Sequence, residues 1–318
     1  MKDLLTGDTI DNPNRDKPDK VIKTNFLTKN KFSFGKKKEV FEQRDTCVIV
    51  RFYLIRSLFS LRNKLMNNLF DYKNETFQPF LISKGKTFFS RILYYLRLLI
   101  DAPHRSLINN FKKNIHLLKG NNVLDIGCGT KFYKNFIPDN IHYVGLEIEN
   151  SKKYLNNGSE VVIYDGKTIP FENNHFNNII CFEVLEHVFD YDSFIREVSR
   201  VSKQDSVLML SVPFAAKFHH IPVDYFRYTP SSIKLILEKH NYKIENFIRR
   251  GDDIIVTLHF ILVAILGLIL QRKIIHSLLG LIFLPIGIIS ALSINLIELF
   301  NLGAKENCLG FFIIAKKK

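Results

Sequence analysis

Six short apolar runs between Asn121 and Arg250 constrain what this chain can fold into. They are VLDI (123–126), YVGLEI (143–148), EVVIY (160–164), NIICF (178–182), SVLMLSV (206–212) and KIENFI (243–248), and helical periodicity separates some of them, around 190–201 and 230–240. Continuous apolar runs of this length suit strands buried on both faces. Strand and helix taking turns predicts a mostly parallel sheet with helices on both sides. A further run, CLGFFIIAKKK (308–318), reads as a last strand.

Between the sixth run and that last strand lies a block of different texture. IIVTLHFILVAILGLIL (254–270) is followed by QRK and then by IIHSLLGLIFLPIGIISALSINLI (274–297). The first stretch is near the lower limit of the ~17–25 residues that span a bilayer, and the second is longer but holds Pro285. A sheet already covered on both faces has little room to hide so many uncharged apolar residues, so a membrane-associated hairpin is expected over 254–300.

Charge is unevenly distributed. The formal net charge is +14, and about +13 of it lies before Gly120, in the N-terminal region. Residues 1–45 are polar and read as a flexible tail. They open with MKDLLTGDTIDNPNRDKPDK, which has no apolar core, so no cleavable signal peptide is expected. Over 46–103, apolar residues mix with Arg and Lys at near-helical spacing, as in VIVRFYLIRSLFSLRNKLMNNLF and TFFSRILYYLRLLI. Basic amphipathic helices of this kind bind anionic lipid or pack on a neighbouring domain. Cys47, Cys128, Cys181 and Cys308 form no CxxC pair, so reduced thiols and no metal site are expected.

Chemistry enters at VLDIGCGT (123–130). A strand ends in Asp125 and bends through Gly127 and Gly129, where the missing Cβ lets a ligand approach the backbone. A dinucleotide fingerprint needs a third glycine at position 132, which is Phe132. Glu147 ends the next strand, where a carboxylate accepts from ribose hydroxyls, and Asp165 follows the third, within reach of an adenine amine. All three acids then share one sheet edge, the edge at which open α/β sheets bind ligands.

In this order the blocks VLDIGCGT, YVGLEIE, YDGKTIPFENNHF and CFEVLEHV resemble the class I S-adenosylmethionine (SAM)-dependent methyltransferases, over roughly residues 104–250 and 308–318. The resemblance implies a Rossmann-like, seven-stranded, mostly parallel α/β sheet with an antiparallel last strand. To this the chain adds N-terminal basic helices and an apolar helical hairpin. It implies SAM as cofactor, held by Asp125, Gly127, Gly129, Glu147, Asp165, Gly166, Phe182 and Glu183, with Glu186 and His187 just beyond. The implied divisions are a catalytic domain over 104–253, the hairpin, and a last strand over 301–318. Two departures are Asn177, where an Asp is common, and KQDS (203–206), where a glycine-rich turn is usual.

SVPFAAKFHHIPVDYFRYTP (211–230) resembles a subset of these enzymes linked to cell-envelope or glycan gene sets, through His219, Pro222, Asp224, Tyr225, Arg227, Tyr228 and Thr229. It implies an acceptor loop, with His219 as base and Tyr225 and Arg227 as acceptor contacts. The alternative is structural: an Asp224–Arg227 pair, and Thr229 capping the next helix ahead of Pro230.

The resulting expectation is a methyltransferase whose acceptor is a small molecule, lipid-linked compound or envelope glycan. Membrane lipids are expected partners and nucleic acid is not, since no catalytic tetrad or nucleic-acid module is present. The last two strands pair in this fold, so the insertion crosses the membrane twice or not at all, and the catalytic domain is expected on the cytoplasmic side. Two crossings would leave QRK on the far side, against the positive-inside tendency, which an in-plane hairpin avoids. A non-catalytic SAM-fold interaction module at the membrane is the alternative function.

Overall fold

The computed structural model describes residues 87–149, 161–220, 222–270, 274–300 and 302–318. The expected tail, most of the basic region, Glu160 and the QRK linker lie outside the described residues. The strands are β1 (Asn122–Ile126), β2 (His142–Ile148), β3 (Val162–Tyr164), β4 (Phe176–Phe182), β5 (Ser202–Pro213), β6 (Tyr242–Arg250) and β7 (Gly310–Lys317). The helices are α1 (Phe88–Ile100), α2 (Ala102–Asn114), α3 (Tyr191–Val201), α4 (Pro230–Lys239), α5 (Asp253–Leu270) and α6 (Ile274–Phe300).

The strands form one sheet in the order β3-β2-β1-β4-β5-β7-β6. The first five run parallel, and β7 lies antiparallel between β5 and β6. Successive strand residues point to opposite faces. Leu124, Ile179, Leu208, Leu210 and Ile313 therefore pack on one side with Phe194, Ile195 and Val198 of α3 and Ile233 and Leu237 of α4. Val123, Ile180, Met209, Phe312 and Ile314 pack on the other with Leu107 and Phe111 of α2. The expected strands are all present, and β5 is longer than expected: KQDS continues the strand, with Asp205 at φ 63 where a glycine would usually stand.

Helix starts follow local chemistry. Thr87, Asp101, Asp190 and Thr229 each accept a hydrogen bond at the first turn of α1 to α4. These caps satisfy backbone donors that a helix leaves open.

α5 and α6 form the expected apolar hairpin between β6 and β7. Asp252 secures its base, accepting from Ile255 N (3.0 Å) and Gly303 N (3.1 Å). Ile255, Val256 and Ile294 pack there on Ala102 and Leu309. Arg105 of α2 pairs with Glu298 at 3.0 Å, and Asn295 donates to Leu99 O at 3.1 Å. The residues that α6 buries are Gly280, Gly287, Ser290, Ala291 and Ile294. All of these but Ile294 are small, and small residues let helices approach closely. A Cβ on Gly280 would lie 2.7 Å from the backbone of Ile269. Most of the outward face is apolar and exposed, including Ile275, Leu281, Ile282 and Ile289. By length and composition both helices are able to cross a bilayer, extending about 27 Å and 40 Å at 1.5 Å per residue.

Candidate active site

The parallel strands end along one edge, so the loops after β1, β2, β3 and β4 meet there. Gly127 (φ 70) and Gly129 (φ 47) bend the chain after β1. Gly127 and Cys128 both donate to Leu146 O of β2, which pulls the bend over the β2 tip. A Cβ on Gly127 would overlap the Val184 side chain, whereas one on Gly129 would meet nothing within 4 Å. Gly127 is thus needed for packing, and Gly129 opens onto unfilled space.

Asp125 is buried beneath the bend and accepts from the Tyr143 hydroxyl. Burial pushes its carboxyl up to about 7; the Tyr143 hydrogen bond opposes this and the Glu147 charge adds to it. Glu147 accepts from Gly129 N at 3.1 Å through Oε2 and from Ile148 N at 2.9 Å through Oε1. The second strand's acid therefore grips the glycine bend itself. Asp165 stands exposed after β3 and closes its own turn, accepting from Lys167 N (2.8 Å) and Thr168 N (2.9 Å). Those amides hold its carboxyl below the usual range. Gly166 follows at φ 77.

Phe182 packs against Phe111, Tyr133 and Phe312, a wall on the α2 side of the edge. Glu183 adopts φ 54, and its Oε1 accepts from Ser211 Oγ and from Arg250 Nη2 at 2.7 Å. Arg250 is buried, and its guanidinium also donates to Pro103 O (3.2 Å) and Val212 O (3.3 Å). Glu183, expected only as a wall of the cofactor pocket, also ties β4 to β6 through Arg250, which itself reaches the start of α2. Sequence reasoning missed Arg250; the glycine after it, Gly251 at φ 81, is the local trace of a chain turning around a fixed side chain.

The loop after β5 folds back on the 310 turn Leu185–His187 that follows β4. Tyr225 N donates to Glu186 O at 2.9 Å and the Tyr228 hydroxyl to Leu185 O at 3.2 Å. Arg227 is held by Asp224 through two hydrogen bonds of 2.6 and 2.8 Å, and Thr229 caps α4. This is the structural alternative for those residues. Burial works against ionisation of Asp224, yet the Arg227 fork and the His219 amide hold its carboxyl at about 2. Tyr225 is partly exposed and stacks edge-on to Phe189. His219 lies beside Glu186, with Nε2 3.8 Å from Oε1.

The structure thus gathers Asp125, Gly127, Gly129 and Glu147 at one spot, with Asp165 and Gly166 beyond β2. Phe182 and Glu183 lie on the β4 side, and His219, Tyr225 and Arg227 sit on the loop over that tip. A separate cavity of about 540 Å³ lies between α1, α2 and the turn after the glycine bend, lined by Tyr94, Arg105, Lys112 and Phe132 among others, and excludes the three carboxylates.

A seven-stranded sheet in this order, with a glycine bend at the first strand tip and acids at the next two, is the class I methyltransferase fold. Residues 95–246, just under half of the chain, match the family model described as a methyltransferase domain, a match that implies SAM as cofactor. An uncharacterized protein of Methanocaldococcus jannaschii is 23% identical over 147 residues, which are 42% of this chain and 64% of that one. The phthiotriol/phenolphthiotriol dimycocerosates methyltransferase of Mycobacterium leprae is 27% identical over 112 residues, 32% of this chain and 42% of that protein. Among solved structures, a SAM-dependent methyltransferase of Aquifex aeolicus aligns at 20% identity and a TM-score of 0.37, over 49% of this chain and 87% of that one. The chain spans less than two thirds of the length of these curated relatives. The residues present suit a cationic nucleoside: two buried carboxylates lie under a backbone bend that leaves room at Gly129.

Proposed function

We propose that this chain is a membrane-associated SAM-dependent methyltransferase acting on a lipid-linked or cell-envelope acceptor, with its catalytic domain on the cytoplasmic side. One observation carries the membrane part of this reading. Gly310, where the hairpin returns, pairs with Arg250 and with Pro213 at the end of β5. The hairpin therefore leaves the sheet from the edge that carries the glycine bend and the His219 loop. Phe88, Phe89, Leu93 and Leu96 of α1 are exposed apolar residues on a helix that packs near α6. A bilayer covering these surfaces would bring a lipid-borne acceptor to the catalytic edge without its leaving the membrane. Pairing of β6 with β7 keeps both hairpin ends on one side of that bilayer.

In this reading Glu147 fixes the bend and offers its remaining lone pairs to ribose hydroxyls, and Asp125 supplies negative charge beneath the donor. Bound SAM supplies a methyl group on a sulfonium, a donor that needs alignment more than activation. On the acceptor side, Glu186, His187 and His219 are the polar groups placed to handle a hydroxyl. The test is transfer of labelled methyl from SAM to fractionated lipid, polysaccharide, protein and nucleic acid by the chain in membranes. Label is expected in the lipid or polysaccharide fraction. SAM binding with no transfer to any fraction would favour the non-catalytic module instead.

Asp125 gives this reading a pH dependence. Its folded-state carboxyl lies above the unfolded value of ~3.9, so its stabilising contribution is full below that value and is lost as pH rises through about 7. A cationic donor prefers the ionised carboxylate. SAM affinity is expected to rise between about pH 6 and pH 8 and to lose most of that slope in Asp125→Asn. Calorimetry across that range checks it; an equally steep slope in the variant would assign the titration to another group.

A further inference from the structure

We propose that Glu186, His187 and His219 form a binding site for a first-row divalent cation, open toward the acceptor loop. One ligand atom from each of these residues lies within 4.8 Å of the others. Both imidazole Nε2 atoms face the same oxygen, Glu186 Oε1, at 3.7 Å for His187 and 3.8 Å for His219. An ion about 2.1 Å from each ligand holds neighbouring ligands roughly 3.0–3.4 Å apart, so a movement of about an ångström that draws the two imidazoles together completes the site.

The second ring nitrogens point the same way. His187 Nδ1 lies 2.8 Å from Val223 O, and His219 Nδ1 lies 3.1 Å from Lys217 O. A carbonyl only accepts, so both Nδ1 atoms carry the proton and both Nε2 atoms present lone pairs to the same point. Backbone carbonyls behind imidazoles are the usual supports of metal-ligating histidines.

Glu186 supplies an independent argument. It is wholly buried, and neither carboxylate oxygen has a hydrogen-bond partner. A buried carboxylate left in that condition is costly, and a cation between it and two imidazole lone pairs removes the cost. The neighbouring Asp224 is paired with Arg227, and among the described residues the two imidazoles are the only cation-forming groups within ion-pair distance of Glu186.

Two nitrogens and one oxygen suit Zn2+, Fe2+, Co2+ or Mn2+ rather than Ca2+ or Mg2+, which prefer all-oxygen shells. The His187 and His219 side chains are 20% and 27% exposed, so an ion there keeps positions open to solvent or acceptor oxygen. A hydroxyl bound at such a position becomes more acidic. The site stands on the side-chain geometry; its use on an acceptor hydroxyl rests on the methyltransferase reading.

The test uses the full chain in detergent, stripped with chelator and titrated with Co2+, read by visible absorption and calorimetry, with SAM binding measured in parallel. One Co2+ per chain is expected. Glu186→Gln and His219→Ala should each weaken binding by at least the ~10–100-fold that loss of an outer-shell support costs. His219 lies on a half-exposed loop, so His219→Ala keeps the test valid if Glu186→Gln fails to fold. Absence of stoichiometric Co2+ binding while SAM still binds overturns the metal site and leaves the methyltransferase reading standing; so does Co2+ binding undiminished in His219→Ala. Co2+ binding without SAM binding sinks the cofactor reading alone.

Discussion

Gly129→Val is expected to weaken SAM binding by at least ~100-fold, about 2.7 kcal/mol, while the protein still folds. The two glycines of the bend differ in what surrounds them. A side chain at Gly127 collides with Val184, so any substitution there reports on folding as much as on binding. A Cβ at Gly129 meets no heavy atom beyond its chain neighbours within 4 Å, and the residue's own amide is bound to Glu147, so a side chain there enters open space beside that carboxylate. Its backbone, at φ 47, makes a non-glycine residue cost about 1–2 kcal/mol in the folded state. Reduced freedom of the unfolded chain offsets part of that. Calorimetry with SAM, alongside thermal unfolding, separates the two effects. Affinity equal to that of the unsubstituted chain would place the donor away from the bend.

Arg250→Met carries the opposite signature, a loss of stability that exceeds any direct effect on the donor. The substitution removes one hydrogen bond to Glu183 and two to backbone carbonyls, all from a guanidinium with almost no solvent contact. Breaking one side of a buried charge pair costs about 3–5 kcal/mol. In a domain of this size that lowers Tm by roughly 10 °C. Glu183→Gln should cost less, because Glu183 reaches solvent and the amide oxygen still accepts. Unfolding followed by circular dichroism in detergent measures both; a drop below ~1 kcal/mol for Arg250→Met would show that the three strand and helix ends hold together without it.

The sheet was legible because most of its strands are short, largely apolar runs, and the first two acids because strand tips and glycines fix where they stand. Asp205 hid the true length of β5: sequence rules place glycine at that φ, and an aspartate filled it. Arg250 closes KIENFIRR, which reads as the basic end of a surface strand. It is buried only because β7 returns beside it from beyond the hairpin, with Gly310 leaving space for the guanidinium. Glu186 and His219 were each singled out, but their juxtaposition escaped for a related reason. Ligand spacing rules look along one loop, and these side chains come from two loops joined by hydrogen bonds at Tyr225 and Tyr228. The Asp224–Arg227 pair was readable as an ordinary ion pair three residues apart.

The position of β7 has a bearing on biogenesis. The last strand to leave the ribosome is an interior one, with β5 on one flank and β6 on the other. Until it arrives, two strand edges stay unpaired, and it follows both hairpin helices in the nascent polypeptide. Completion of the sheet therefore waits until both hairpin helices have been synthesised, so the hairpin is free to settle into its surroundings before the strands on either side of β7 are joined.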